Sequence, residues 1–363
     1  MSKKLYWGLN MFSYIGLIFF PVALILYLVN GPGVWVFLLS ALALLPLASW
    51  MGRATEELAL RSGSTVGGLL NATFGNAAEL IIAAIALSEG KIEMVKASIT
   101  GSILSNLLLV LGLAIFLGGI SRERQFFNRQ GAALQASLLS ITMVALLLPA
   151  FFDLAETSYF RVDPRLPDQA FSLAAAGVLI AIYLANLFFS LFTHREMVGG
   201  AHEEGSPKWS VGLAIGVLLA ATAGVAVMAE LLVGSLEIAT EALGLTEFFV
   251  GIILIPLVGN AAEHLAAVGF AMKDKMDLAV QIAIGSSLQV ALLVAPVLVF
   301  LGLAFNQPMN MIFRNPLELA ALASAIIATN AVARDGETHW LEGALLLAVY
   351  LLLGLAFFFI ETS

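Results

Sequence analysis

Gly75-Asn76-Ala77-Ala78-Glu79 recurs as Gly259-Asn260-Ala261-Ala262-Glu263, 184 residues further along a chain of 363. Each copy lies inside an apolar run long enough to cross a bilayer. Side chains three residues apart share one face of a helix. Asn76 therefore faces the same way as Glu79, and Asn260 the same way as Glu263. The chain presents an amide and a carboxylate together, twice, at membrane depth.

The duplication reaches well beyond this phrase. Laying residues 75–113 on 259–297 without a gap gives 13 identities in 39 positions, among them Ala83/Ala267 and Gly101-Ser102/Gly285-Ser286. Chance would give about one in ten in so Leu- and Ala-rich a chain. Val66-Gly67/Val250-Gly251 and Glu57/Glu241 match at the same offset.

Composition sets the surroundings. Hydrophobic residues make up 60% of the chain and charged residues 12%, against about 25% charged in soluble domains. This is an all-α polytopic membrane protein by expectation, because lipid leaves only helices and closed barrels as spanning structures. The net charge of −8 and the lack of a basic tract argue against nucleic acid. With no cysteine and four histidines, disulfides, thiolate centres and multi-histidine metal sites are not expected, and no cofactor is.

Eleven spans can be drawn, at about 8–29, 33–51, 65–87, 97–118, 131–152, 170–193, 209–234, 247–271, 279–303, 316–333 and 341–360. Leu5 to Val29 is too long for a signal peptide's apolar region and reads as a retained first span. With the N-terminus inside, inner loops hold 12 Lys and Arg and outer loops 5, which puts the N-terminus in the cytoplasm. Residues 1–32 are then an extra N-terminal helix, 33–194 a first five-helix repeat, 195–208 a cytoplasmic linker and 209–363 a second repeat. An odd number of spans per half inserts the second upside down, the inverted-topology plan of many secondary transporters.

Besides Glu247 at the edge of the eighth span, five acids fall within spans: Glu79, Glu230, Glu263, Glu318 and Glu342. A charged carboxylate at the bilayer centre costs about 2.5–3.5 kcal/mol even on lenient scales. Glu79 and Glu263 add symmetry to depth, which protonated packing contacts alone do not explain. With Asn76 and Asn260 they offer hard oxygen ligands suited to calcium. Gly75 and Gly259 precede each asparagine, and Pro256 removes a backbone donor, so a broken or kinked helix is expected at each site. Ser102, Ser105 and Asn106 in one half, with Ser286 and Gln289 in the other, either line the cavity or serve as small polar helix contacts. Glu230 and Glu318 are proton or gating candidates as much as satisfied anchors. Glu342 reads as interfacial, and His264 as a packed or interfacial histidine.

Charge arithmetic gives a mechanism. Two carboxylates neutralise one divalent cation, and without it two like charges in low dielectric repel, so the empty site takes protons. Calcium and protons then compete for the same oxygens, the minimal requirement for antiport.

The stretches Asn71-Ala72-Thr73-Phe74-Gly75-Asn76-Ala77-Ala78-Glu79-Leu80 and Gly259-Asn260-Ala261-Ala262-Glu263-His264 resemble the CAX family, the calcium/proton exchangers of the calcium/cation antiporter superfamily. Gly101-Ser102-Ile103-Leu104-Ser105-Asn106, Gly285-Ser286-Ser287-Leu288-Gln289 and Asp335-Gly336-Glu337 before Trp340-Leu341-Glu342-Gly343 extend the resemblance over nearly the whole chain. It implies Glu79 and Glu263 as the exchange carboxylates, eleven spans, and transport of Ca2+ against H+ in a prokaryotic plasma (inner) membrane rather than an enzyme's chemistry. Sodium/calcium exchangers carry Pro-Glu at this place, whereas Ala78 and Ala262 stand here, which favours protons as counter-ion. The linker is shorter and less acidic than the acidic helix of many relatives. A sodium-coupled or Mn2+-preferring exchanger and, from another class, a passive cation channel stay open; an oligomer does too. An intramembrane protease does not fit, since no His-Glu-x-x-His motif and no intramembrane Asp occur.

Overall fold

The computed structural model describes residues 14–155, 165–193, 206–313 and 315–360. Lys3, Lys4, Arg161, Arg314 and most of the linker, with Glu196, Glu203 and Glu204, lie outside them. In chain order the helices are α1 (Gly16–Leu28), α2 (Gly33–Phe74), α3 (Ala77–Ser88), α4 (Ile92–Gly119), α5 (Arg129–Ala155), α6 (Asp168–Thr193) and α7 (Val211–Gly234). They continue with α8 (Leu236–Leu243), α9 (Glu247–Gly259), α10 (Ala261–Met272), α11 (Met276–Ala304), α12 (Pro316–Ala333) and α13 (Trp340–Phe359). A two-stranded antiparallel sheet joins β1 (Gln125–Phe126) to β2 (Glu337–Thr338), pairing Gln125 with Thr338 and Phe126 with Glu337.

Among the described residues, eight helices are long and apolar enough to cross a membrane, against the eleven spans expected. Helices α8 and α9 pass the same test only together, across a 108° bend. The third and eighth expected spans are each two helices instead of one. The first breaks at Gly75-Asn76 between α2 and α3, and the other at Asn260 between α9 and α10. The helical breaks foreseen at the two glycine–asparagine steps are present.

The second expected span, 33–51, also differs. Hydropathy stops it near Gly52, but helical bonding continues through Arg53, Glu56, Glu57 and Arg61. A straight 30-residue helix, Gly33–Ser62, runs about 45 Å against a hydrocarbon core of about 30 Å, so its charged end projects beyond the lipid. The chain then reverses: a Cβ on Gly67 would stand 2.7 Å from the carbonyl oxygen of Ala59. In a straight helix those two residues would be about 12 Å apart along the axis. The last turns of α2 therefore form the first half of the third, broken span.

Helix lengths repeat with the sequence. Helices α3 and α10 have 12 residues each, at the same 184-residue offset, and α4 and α11 begin in register at Ile92 and Met276. Both long helices contain a stretch of wider, π-type turns, Ser105–Val110 in α4 and Val290–Val294 in α11.

Polar contacts tie the loops into two groups. In one, Lys91 Nζ reaches Glu237 Oε1 (2.5 Å) and Glu247 Oε1 (2.8 Å), and Lys96 Nζ donates to Asn310 Oδ1 (2.8 Å). In the other, Arg122 donates to the carbonyls of Gly118 and Met272 and pairs with Asp274 (3.2 Å). Arg124 pairs with Glu337 (3.1 Å), and Glu57 Oε2 accepts from the amides of Lys208 and Trp209. Glu342, read as interfacial, caps α13: its carboxylate accepts from the His339 amide (3.1 Å) and the Thr338 hydroxyl (2.5 Å).

The closest helix packing lies at Gly101. Pro256 has no amide hydrogen to give the Ile252 carbonyl, and that oxygen turns onto Gly101 of α4. A Cβ on Gly101 would collide with it and stand 2.7 Å from Pro256 Cγ. Gly101→Ala should therefore destabilise the protein by about 1–3 kcal/mol, since a backbone carbonyl cannot swing aside as a side chain can. Gly177, with open space at its Cβ position, is the control: Gly177→Ala should be neutral or stabilising by up to about 1 kcal/mol. Thermal unfolding of the detergent-solubilised protein reads both.

Candidate functional site

Asn76 and Asn260 occupy the N-cap positions of α3 and α10, yet neither side chain caps its own helix. An N-cap asparagine normally contributes about 1 kcal/mol by bonding the first-turn amides. Here both amides are turned elsewhere. Glu79 and Glu263 are the third residues of the same helices, where the positive end of the helix dipole favours a carboxylate. A short break, Gly-Asn, thus aims an amide and a carboxylate into the bundle from each half.

The interior they meet is polar in places and otherwise apolar. Ser102 Oγ donates to Glu79 Oε1 at 2.5 Å, while Glu79 Oε2 is buried with no protein partner. Gly259 packs on this side chain: a Cβ there would stand 2.9 Å from Glu79 Cγ. The Asn260 amide neighbours the Glu79 carboxylate, and Glu263 lies close enough for its charge to act on that of Glu79. Asn260 is fully buried, and neither of its amide atoms makes a hydrogen bond within the described protein. Asn76 Nδ2 donates to Gln289 Oε1 at 2.5 Å and leaves Asn76 Oδ1 buried and unpaired. Gln289 reaches the break itself: its Oε1 would be in ordinary contact, 3.6 Å, with a Cβ at Gly75.

A cavity of about 10 Å³ adjoins Glu79, bordered by Ser98, Ser102, Ile255 and Val290. That is room for about one water-sized sphere. Among the described residues, Glu79, Asn76 and Asn260 each carry a buried, unpaired oxygen, and Glu79 borders the cavity. Among the described residues no cluster of three or more His, Asp or Glu side chains exists. The donor set is two carboxylates with amide and hydroxyl oxygens, which suits a hard cation rather than a soft transition metal.

The other polar residues singled out by sequence lie at varying distances from this cluster. Ser105 is buried, and its hydroxyl meets His264 Nε2 at 3.1 Å, giving that histidine a partner in the other half. Asn106 is buried at the start of the π-type stretch with both amide atoms unpaired. Ser286 is half-buried, and its neighbour Ser287 donates to the Ala283 carbonyl (2.9 Å). Glu230 is exposed on α7, away from the cluster. Glu318 is buried, but against Thr100 and near Lys96. Thr100 and Ser102 are about 200° apart around α4, so Glu318 sits behind that helix from Glu79.

Two further polar groups belong to this region. Ser98 borders the cavity one turn before Ser102, and the four-residue spacing on α4 is a signal that sequence holds. The Tyr350 hydroxyl of α13 lies beside Ser105, a proximity with no sequence signature beyond a tyrosine inside an apolar span.

Known proteins are similar to the chain over almost its full length. It is 49% identical over 364 residues to a Ca(2+)/H(+) antiporter of Synechocystis sp., covering 95% of this chain and 96% of that protein. It is 42% identical over 344 residues to the Ca(2+)/H(+) antiporter ChaA of Bacillus subtilis, covering 93% and 96%. The solved structure of native YfkE superposes with a TM-score of 0.83 at 39% identity, covering 96% of this chain and all of that one. Residues 32–192 and 213–359 match the sodium/calcium exchanger protein family, and the chain belongs to that family.

Proposed function

We propose that this protein exchanges Ca2+ for H+ across a membrane, with Glu79 and Glu263 binding calcium and protons in turn. The observation that carries the reading is buried Glu79 and Asn260, each with an unpaired oxygen among the described residues, beside the half-buried Glu263 carboxylate. The named activities of the relatives from Synechocystis and Bacillus subtilis agree with it.

Charge balance sets the chemistry. Loaded, the two carboxylates cancel the charge of one Ca2+, and Asn76 and Asn260 add amide oxygens to its shell. Unloaded, two bare carboxylates would face each other in a low-dielectric interior, where repulsion is strong. Protonation relieves it, and the neutral site can then cross between the two faces of the membrane. The Ser102 hydroxyl orients Glu79 Oε1 and leaves Oε2 for the ion or the proton.

The architecture we infer for alternating access has eleven crossings. An extra N-terminal helix, residues 1–32, precedes two inverted five-helix repeats, 33–194 and 209–363, joined by a linker at 195–208. Supporting this, the loops grouped by Lys91 and by Arg122 are the sets expected on opposite sides. Loops 88–92 and 272–276, equivalent by sequence, fall in different sets. The basic-residue bias supports a cytoplasmic N-terminus, and the bacterial relatives support a prokaryotic plasma membrane.

Glu79→Gln and Glu263→Gln should each abolish pH-gradient-driven Ca2+ uptake by reconstituted vesicles while leaving the protein folded. Near wild-type flux in both would end the assignment of the site, and uptake driven equally by a sodium gradient at clamped pH would end the assignment of the proton. Glu230→Gln and Glu318→Gln should slow uptake or shift its pH dependence without abolishing it.

Ion selectivity gives a separate test. A shell of carboxylate and amide oxygens should take Ca2+ well and Mg2+ poorly, because Mg2+ releases its water reluctantly and demands a tighter octahedron. In competition for Ca2+ uptake, Mn2+ should inhibit partially and Mg2+ little; equal transport of Mg2+ and Ca2+ contradicts this donor set.

A further inference from the structure

We propose that Gln289 is a positioning residue that fixes which end of the Asn76 amide faces the cation, leaving Asn260 as the adjustable amide of the pair. The inference rests on the proposed calcium site and deepens it. An asparagine amide turned the wrong way presents Nδ2–H, a donor, where a cation needs an oxygen. Asn76 Nδ2 is held at 2.5 Å by Gln289 Oε1, so Oδ1 is the atom turned inward, and it is buried and unpaired. The N-cap bond that would otherwise hold the side chain is not made. Among the described residues, Gln289 is thus the one hydrogen-bond partner of this amide.

The other half does not repeat the lock. By the 184-residue offset, Asn260 stands for Asn76 and Ser105 for Gln289. Ser105 is hydrogen-bonded to His264, and Asn260, fully buried, has neither amide atom paired among the described residues. Beside it lies the Glu79 carboxylate. Asn260 can offer Nδ2–H to an ion-free Glu79 and, by turning its amide, Oδ1 to a bound cation. One oxygen is preset and one is exchangeable, a division that identical sequence motifs alone do not reveal.

The test uses near-isosteres at position 289 in the full-length protein, reconstituted and assayed for Ca2+ uptake against a pH gradient. Gln289→Met keeps the length and apolar contacts but has no acceptor of comparable strength. Gln289→Glu keeps the acceptor oxygen. Loss of amide orientation should raise the apparent KM for Ca2+ about tenfold in Gln289→Met, the scale of one hydrogen bond to a charged group, with maximal rate within about twofold. Gln289→Glu should stay within about threefold of wild-type KM on the same scale.

In an Asn76→Ala background, Gln289→Met should add no further change, because the residue acts only through Asn76. A merely structural role predicts the reverse order, with Met tolerated and Glu damaging, and equal effects in both backgrounds. Wild-type KM in Gln289→Met, or an undiminished effect in the Asn76→Ala background, overturns the proposal. Should Gln289→Met fail to fold, Gln289→Leu in the same cycle provides the same reading. The Glu79→Gln and Glu263→Gln assays test the site itself, so the two failures are separable.

Discussion

A carboxylate inside a membrane-spanning bundle has no inexpensive state of its own. Charged, it needs a cation or several donors; neutral, it needs a proton. Glu79 has one donor, Ser102, on one oxygen and nothing on the other. Glu263 lies near enough to act on it electrostatically. The surroundings leave this demand unmet by protein: two asparagines that do not cap their helices, a glycine pressed on Glu79 and a cavity of about 10 Å³. The helix packing around them, down to the contact of the Ile252 carbonyl with Gly101, holds that small polar space inside an apolar body.

Breaking a helix in lipid exposes backbone groups with no water to satisfy them, so breaks are confined to places where the protein encloses them. Both breaks here are enclosed, with Asn76 and Asn260 among the buried polar residues. The π-type turns in α4 and α11 lie across from them and start at or after Ser105 and Gln289. Such turns add a residue to the ladder and rotate the rest of the helix about its axis. They let long, continuous helices aim polar side chains at one end and apolar packing at the other.

Much of this was legible in the residues. The repeated Gly-Asn-Ala-Ala-Glu fixes both breaks, because glycine and asparagine are poor helix formers and asparagine favours the N-cap. Spans read from hydropathy locate α12 to the residue and α7, α11 and α13 within about three. The end of the second span was not legible, since hydropathy reports lipid contact while helical bonding runs on through Arg53 and Glu57 into the polar zone. Glu230 and Glu318 share the composition signal of Glu79 but not its surroundings. Which face of a helix meets which neighbour is a tertiary fact, and it leaves Glu230 exposed and Glu318 behind α4. The pairing of Asn76 with Gln289 crosses 213 positions and has no local trace.

The unequal bonding of equal motifs bears on how such a site would alternate. Two inverted halves in identical conformations would open a central site to both sides of the membrane, or to neither. Exchange requires the halves to differ at any moment and to interchange their differences. Helix lengths do not supply that difference, since α3 matches α10 and both long helices start in register. Side chains do. Asn76 is tied to Gln289 while Asn260 has no hydrogen bond among the described residues, and Ser105, the counterpart of Gln289, holds His264, for which the first half has Leu80. The loops differ likewise. Lys91 draws Glu237 and Glu247 together, whereas the loop equivalent by sequence is held through Asp274 by Arg122. If the halves do interchange, the amide lock must be weak enough to break within one transport cycle. A single amide–amide hydrogen bond of about 0.5–1.5 kcal/mol meets that condition, and a buried ion pair in its place would not.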